Sequence, residues 1–96
     1  MSQLIVIARI KAKPGKEHTV REALRALIEP THKEHGCIMY DLHVANDDPS
    51  LFYFYEKWTS EKELDAHLES PHLQQFKKQA ADLVEEMHVH RLTQIG

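Results

Sequence analysis

Glu56-Lys57-Trp58-Thr59-Ser60-Glu61-Lys62-Glu63-Leu64-Asp65-Ala66-His67-Leu68-Glu69-Ser70-Pro71-His72-Leu73-Gln74-Gln75-Phe76 is where this chain turns from strand to helix. The strand entering it, Leu51 to Trp58, is aromatic throughout, and only Glu56 and Lys57 carry charge. Side chains alternate along a strand, so Phe52, Phe54, Glu56 and Trp58 share one face. Ser60-Glu61-Lys62-Glu63 has the pattern of a capping box, in which hydroxyl and carboxylate each meet a free amide at a helix start. Leu64 and Leu68, with Ala66 to one side, give the short helix a partial apolar face. Ser70 reads as a second N-cap with Pro71 at the first helical position. Leu73, Phe76, Ala80 and Leu83 then continue at helical spacing.

Working outward, Leu4 to Ile10 is a β-branched run that stops at the turn signal Lys13-Pro14-Gly15. Its apolar residues fall on both faces, as in a strand covered on both sides. From Lys16 the period becomes helical through Val20, Ala23, Leu24, Leu27 and Ile28. Pro30 is expected to kink or break this helix, and Gly36 to cap its end. Ile38 to Ala45 alternates again, with Ile38, Tyr40, Leu42 and Val44 on one face. Asn46-Asp47-Asp48-Pro49 is turn chemistry, and Met87 to Ile95 closes the chain as a strand.

The order β-α-β-β-α(α)-β is the split βαβ pattern of an α+β, ferredoxin-like domain spanning residues 1–96, with a four-stranded antiparallel sheet. Its helices can cover one sheet face only. Because the strands read as apolar on both faces, a second copy of the chain is expected against the open one, making a homodimer.

Composition narrows the function. Ninety-six residues suit one domain. A formal charge of −3 without a basic stripe argues against a nucleic-acid partner. The single cysteine, Cys37, allows no intramolecular disulfide and fits a reducing, cytoplasmic compartment. The N-terminal apolar run breaks at Arg9, and nothing approaches the ~18 apolar residues of a membrane span.

Three pieces of the chain resemble the antibiotic biosynthesis monooxygenase family of dimeric α/β barrels. They are Ala8-Arg9-Ile10-Lys11-Ala12-Lys13-Pro14-Gly15, then Lys33-Glu34-His35-Gly36-Cys37-Ile38-Met39-Tyr40, then Glu56-Lys57-Trp58 with Ala66-His67-Leu68-Glu69-Ser70-Pro71-His72. Within the family the chain is most similar to small bacterial quinol monooxygenases. That resemblance implies oxidation of a quinol or hydroxylated aromatic by O2 without flavin, haem or metal, the ionised substrate itself giving an electron to O2. A branch that isomerises a phosphorylated, sugar-like ligand shares the His-x-x-x-Pro-His piece. It would need cations at the pocket, here Arg9 or Arg91. A haem-degrading branch carries an asparagine where this chain has Ala8 and a histidine in the last helix that Phe76-Lys77-Lys78-Gln79 lacks. A dimeric binding or stress-response module on the same barrel is the non-enzymatic alternative.

The chemistry-bearing residues follow. His67, neutral near pH 7, can take a proton from a phenol and return it; its structural alternative is to brace the Ser70-Pro71 break. His72 lies in a first helical turn, where the dipole disfavours imidazolium. It is expected to orient a substrate oxygen, assist proton transfer, or bond across the pocket mouth. Trp58 and Phe54 offer a wall for a planar ring, with Tyr40 and Arg9 counted among the substrate-binding side chains. Glu56, a carboxylate facing apolar space, must be paired, raised in pKa or functional; it is expected to take part in catalysis by tuning the imidazole, or to pair with Arg9 or Arg91. Tyr53 and Tyr55 suit any strand. Cys37 has no base beside it in sequence and reads as a small hydrophobe. The pairs His32/His35 and His88/His90 fall short of the three or four ligands of a zinc site, so no metal is expected.

Overall fold

The computed structural model describes residues 3–96. In chain order the elements are β1 (Leu4–Ala12), α1 (Glu17–Arg25), α2 (Ile28–His32), β2 (Cys37–Ala45), β3 (Asp48–Trp58), α3 (Glu61–Leu68), α4 (Pro71–Leu83) and β4 (Val84–Leu92). The strands form one antiparallel sheet in the order β2-β3-β1-β4. This is the α+β, ferredoxin-like arrangement expected from the element order. No helix among the described residues is long and apolar enough to cross a membrane.

Alternation decides which sheet face meets the helices. Val6, Ala8, Ile10 and Ala12 on β1, and Phe52, Phe54, Glu56 and Trp58 on β3, are all buried. Register then aligns Ala8 with Phe54 and Val89, and Ile10 with Phe52 and Met87. Val20, Leu24, Leu64, Leu73 and Phe76 pack onto this face from three helices. Each fully buried large apolar side chain of this kind contributes about 1.5–3 kcal/mol.

The last strand starts and ends three residues earlier than the expected Met87 to Ile95, at Val84–Leu92, and local expectations differ from the structure in three further places. The first long helix breaks at Ala26–Leu27, ahead of Pro30, so that α1 and α2 are separate. A proline ring clashes with the carbonyl four residues earlier, and four residues before Pro30 is Ala26. Ser60 holds extended N-cap geometry, but its side chain makes no cap bond. The Glu63 side chain instead packs over Gly36, whose φ is +86°. A Cβ at Gly36 would lie 2.5 Å from Glu63 Cγ, so glycine is required there twice over. Finally, a register shift between Cys37 and Met39 turns Ile38 outward, leaving it exposed while Tyr40 is buried. At Ser70 the expected cap is present, the hydroxyl accepting from Leu73 N at 3.4 Å with Pro71 beginning α4.

Candidate active site

Between the helices and the covered sheet face lies a cavity of about 240 Å³. Ala8, Ile10 and Phe54 form its floor, and Leu24, Leu73 and Phe76 form its roof. Its polar lining is sparse: Glu56, Tyr40 and His67, with Lys77 at the rim. Met87 and Val89 line it from β4 and are themselves exposed, so the cavity opens along that strand.

His67 stands in the last turn of α3 and is 2% exposed. Its Nδ1 lies 2.7 Å from Glu34 Oε2. With the carboxylate as acceptor, Nδ1–H donates, and the lone pair is left on Nε2. Nε2 has no hydrogen bond among the described residues. Nor is it one of the sealed-off polar atoms, a condition found there only for Thr31 Oγ1. It therefore opens onto the cavity. Burial holds His67 below the ordinary histidine pKa, and the Glu34 charge partly offsets that. The ring is thus neutral at pH 7, and a proton gained at Nε2 would be met by Glu34. The expected bracing of the Ser70-Pro71 break is done by the His67 backbone, whose carbonyl accepts from Ser70 Oγ at 2.6 Å.

Glu34 follows α2, just before the Gly36 turn, and receives a second imidazole. His72 Nε2 lies 2.7 Å from the same Oε2, and 3.2 Å from Ser70 Oγ. His72 does not line the main cavity; it borders a groove between α1 and α4. The three groups offer donor atoms within 4.8 Å of one another, the only such cluster among the described residues. They are the side chains that could hold a metal ion, though each 2.7 Å contact is already complete as an N–H to carboxylate bond. Neither histidine pair noted in the sequence joins them. His32 donates to the Tyr40 carbonyl at 3.2 Å, and His88 and His90 stack on the other sheet face.

Glu56 is 4% exposed and does not have the arginine partner expected for it. Arg9 is an odd-numbered residue of β1, on the opposite sheet face, where it pairs with Glu86 at 3.2 Å. Arg91 shares the face of Glu56 but reaches Glu61 and Asp65 on α3. The partner of Glu56 is instead the Trp58 indole, whose Nε1–H donates to Oε1 at 2.9 Å. Burial pushes the carboxyl up to about 7, against the lowering effect of that bond, and the Glu34 charge adds to the rise. Oε2 is unpartnered among the described residues and, like His67 Nε2, not sealed off.

The aromatic wall divides into two layers. Phe54 lines the cavity with Tyr40 stacked on it at 4.2 Å. Trp58, fully buried, stands behind His67 with ring centroids 4.7 Å apart. It supports the imidazole and Glu56 together rather than facing a ligand. Burial raises the Tyr40 phenol well above the tyrosine range, so it stays protonated and is no base. Cys37, half-buried near Glu34, Glu56 and Asp41, is pushed up to about 11 and remains a thiol.

The structure thus brings His67, Glu56, Tyr40 and Phe54 to one cavity. It places Trp58 directly behind them, His72 across Glu34, and Arg9 on the far side of the sheet. Glu34 is the residue that spacing did not single out. Its signal was present in the Glu-x-Gly-Cys piece, where a carboxylate precedes a glycine that must turn sharply.

The ferredoxin-like sheet and its helices thus enclose an apolar cavity walled by a carboxylate-held histidine. The profile of the family described as antibiotic biosynthesis monooxygenase matches residues 3–79, and the chain belongs to that family. A solved Pseudomonas aeruginosa protein, PA3566, superposes with a TM-score of 0.96 at 32% identity, covering 100% of this chain and 97% of its own. The Escherichia coli protein named "Probable quinol monooxygenase YgiN" is 29% identical over 103 residues, covering 97% of this chain and 98% of its own length. A Synechocystis protein of uncharacterized function, sll1783, is 31% identical over 81 residues. That match covers 84% of this chain and 55% of the Synechocystis protein.

Proposed function

We propose that this chain is a cofactor-independent monooxygenase that oxidises a small quinol or hydroxylated aromatic with O2, working as a cytoplasmic homodimer. The observation that carries the reading is the buried His67, its Nδ1–H tied to Glu34 and its Nε2 free at an apolar cavity. Nε2 takes the phenolic proton, and Glu34 stabilises the imidazolium that results. The phenolate left behind has no water shell in an apolar cavity and is a strong one-electron donor to O2. Recombination inserts one oxygen atom into the ring, and the other leaves as water. The four electrons O2 requires come from the ring C–H and from oxidation of quinol to quinone. A cavity of about 240 Å³ falls below the ~300–1,000 Å³ of drug-sized ligand sites, which favours one or two fused rings.

The name of the Escherichia coli relative supports the substrate class. With Arg9 across the sheet and Arg91 held by Glu61 and Asp65, Lys77 is the one cation lining the cavity among the described residues. That lining does not suit a phosphorylated ligand. The homodimer is supported by the open sheet face, where Ile5, Ile7, Leu51, Tyr53 and Tyr55 are only half-buried in one chain. Oxygen uptake by chelator-treated protein tests the reading, with a panel of benzoquinols and naphthoquinols. Saturable uptake above autoxidation is expected. His67→Ala should lower it by about 10²–10⁴-fold, the usual range for a general base. Full uptake by a folded His67→Ala protein would remove His67 from the mechanism.

A further inference from the structure

The monooxygenase reading uses His67 and leaves Glu56 idle, yet Glu56 is the most unusual group in the cavity. It is a nearly fully buried carboxyl with no cation against it among the described residues, and its neighbours dictate where its proton sits. Trp58 Nε1–H donates to Oε1, so Oε1 is the acceptor oxygen and the neutral acid carries its hydrogen on Oε2. Glu56 and His67 both line the same apolar cavity, and both are braced by Trp58, Glu56 through the indole N–H and His67 through its ring. The cavity therefore presents one hydrogen-bond donor and one base, with hydrocarbon almost everywhere else. An apolar site with a protonated carboxyl as donor and a separate base is an arrangement that catalyses enolisation in an unrelated isomerase.

We propose that this cavity also acts as an O2-independent keto–enol tautomerase for small, unphosphorylated ring ketones, with His67 Nε2 moving the carbon-bound proton and Glu56 Oε2 holding the carbonyl oxygen. His67 Nε2 removes a proton from the carbon next to the carbonyl. The C–H electron pair becomes the C=C bond, and the carbonyl π pair takes the proton from Glu56 Oε2. The products are enol, imidazolium and carboxylate, with no change in total charge. In the return step the imidazolium delivers its proton to the same carbon or to a conjugated one, and Glu56 recovers its proton from the enol oxygen. No electrons leave the substrate, so neither oxidant nor cofactor is needed. Burial, which keeps Glu56 protonated up to about pH 7, leaves the donor intact in the working range. The ionisable groups around it are Tyr40 and Cys37 on β2, His67 on α3, Lys77 on α4, and Glu34 beyond His67.

The proposal shares the His67 base with the monooxygenase reading but not its oxygen chemistry. The test is deuterium exchange into 2-tetralone, a bicyclic ketone with an activated methylene, followed by proton NMR in D2O under anaerobic conditions with chelator. Wild-type protein should accelerate exchange by roughly 10²-fold or more over matched buffer. Glu56→Gln, which keeps an acceptor for Trp58 and a weaker donor for the ketone, should retain part of the activity. Glu56→Leu should lose about 10²-fold, falling to near the buffer rate, as when an oxyanion donor is removed. Wild-type exchange should also decline above about pH 7 as Glu56 ionises, while the Glu56→Gln rate should not. Exchange no faster than buffer would overturn the proposal, and so would a rate that Glu56→Leu leaves unchanged in a folded protein. Quinol-dependent oxygen uptake, run on the same preparations, separates the readings. Uptake without exchange removes only the tautomerase, and exchange without uptake removes only the monooxygenase.

Discussion

Strand β3 shows two environments on one ribbon. Its even-numbered side chains Phe52, Phe54, Glu56 and Trp58 are at most 4% exposed beneath the helices. Its odd-numbered neighbours Tyr53, Tyr55 and Lys57 stay half-exposed on the other face. The same residue type means different things on the two sides. Glu56, sealed under helices, is raised toward neutrality and faces a cavity. Glu86, directed to the open side through its contact with Arg9, is an ordinary surface ion-pair partner. Burial rather than sequence neighbourhood decides which carboxylate has unusual chemistry.

The largest break in that contrast should come from Trp58→Ala. It removes a fully buried indole and the donor to Glu56 together, and should cost about 3–5 kcal/mol by urea unfolding. A loss below about 1 kcal/mol would mean that the covered face repacks freely.

Next comes the pH dependence of stability. The folded pKa of Glu56, about 7, lies above the ordinary value of 4.5. Between those values the unfolded chain binds fewer protons than the folded one. The contribution of Glu56 therefore falls as pH rises through that window, and levels off above it. The penalty reaches about 3 kcal/mol, at about 1.4 kcal/mol per pKa unit. Glu56→Gln should flatten this part of the profile and stabilise the protein most at neutral pH and above. Parallel urea midpoints for both proteins across the window would show it, and coincident curves would refute the buried-acid assignment.

The open face should respond in assembly instead. Ile7→Lys, opposite Tyr55 and His90, should yield a folded monomer by light scattering, since it puts charge into the proposed dimer contact. A dimer that survives this change would move the interface elsewhere. The smallest effect belongs to Arg9→Ala. Its ion pair with Glu86 lies on the sheet face opposite the cavity, so kcat/KM for quinol oxidation should stay within about twofold. A larger loss would give Arg9 a contact to substrate that its position across the sheet does not provide.

How much of this was legible differs between fold and site. The aromatic alternation of Leu51 to Trp58 and the Ser70-Pro71 cap were readable because a strand period and a helix start are local properties. The break ahead of Pro30 was placed too late, although the clash with the carbonyl of Ala26 is itself local. The capping box at Ser60 failed for a tertiary reason, since Glu63 is drawn to the space above Gly36.

By itself, the sequence determined the order of elements, the sheet face that carries Phe54, Glu56 and Trp58, and the candidacy of His67. Only the tertiary structure decided what those groups do to one another. Glu34 meets His67 across 33 residues and His72 across 38, because the end of α2 is folded against α3 and the start of α4. Arg9 and Arg91 are turned from Glu56 by sheet register and by the acids of α3. Periodicity places a side chain on a face. Which distant groups share the space beyond that face, and whether water reaches them, is set by packing, and here packing produced the pKa shifts on which the proposed chemistry depends.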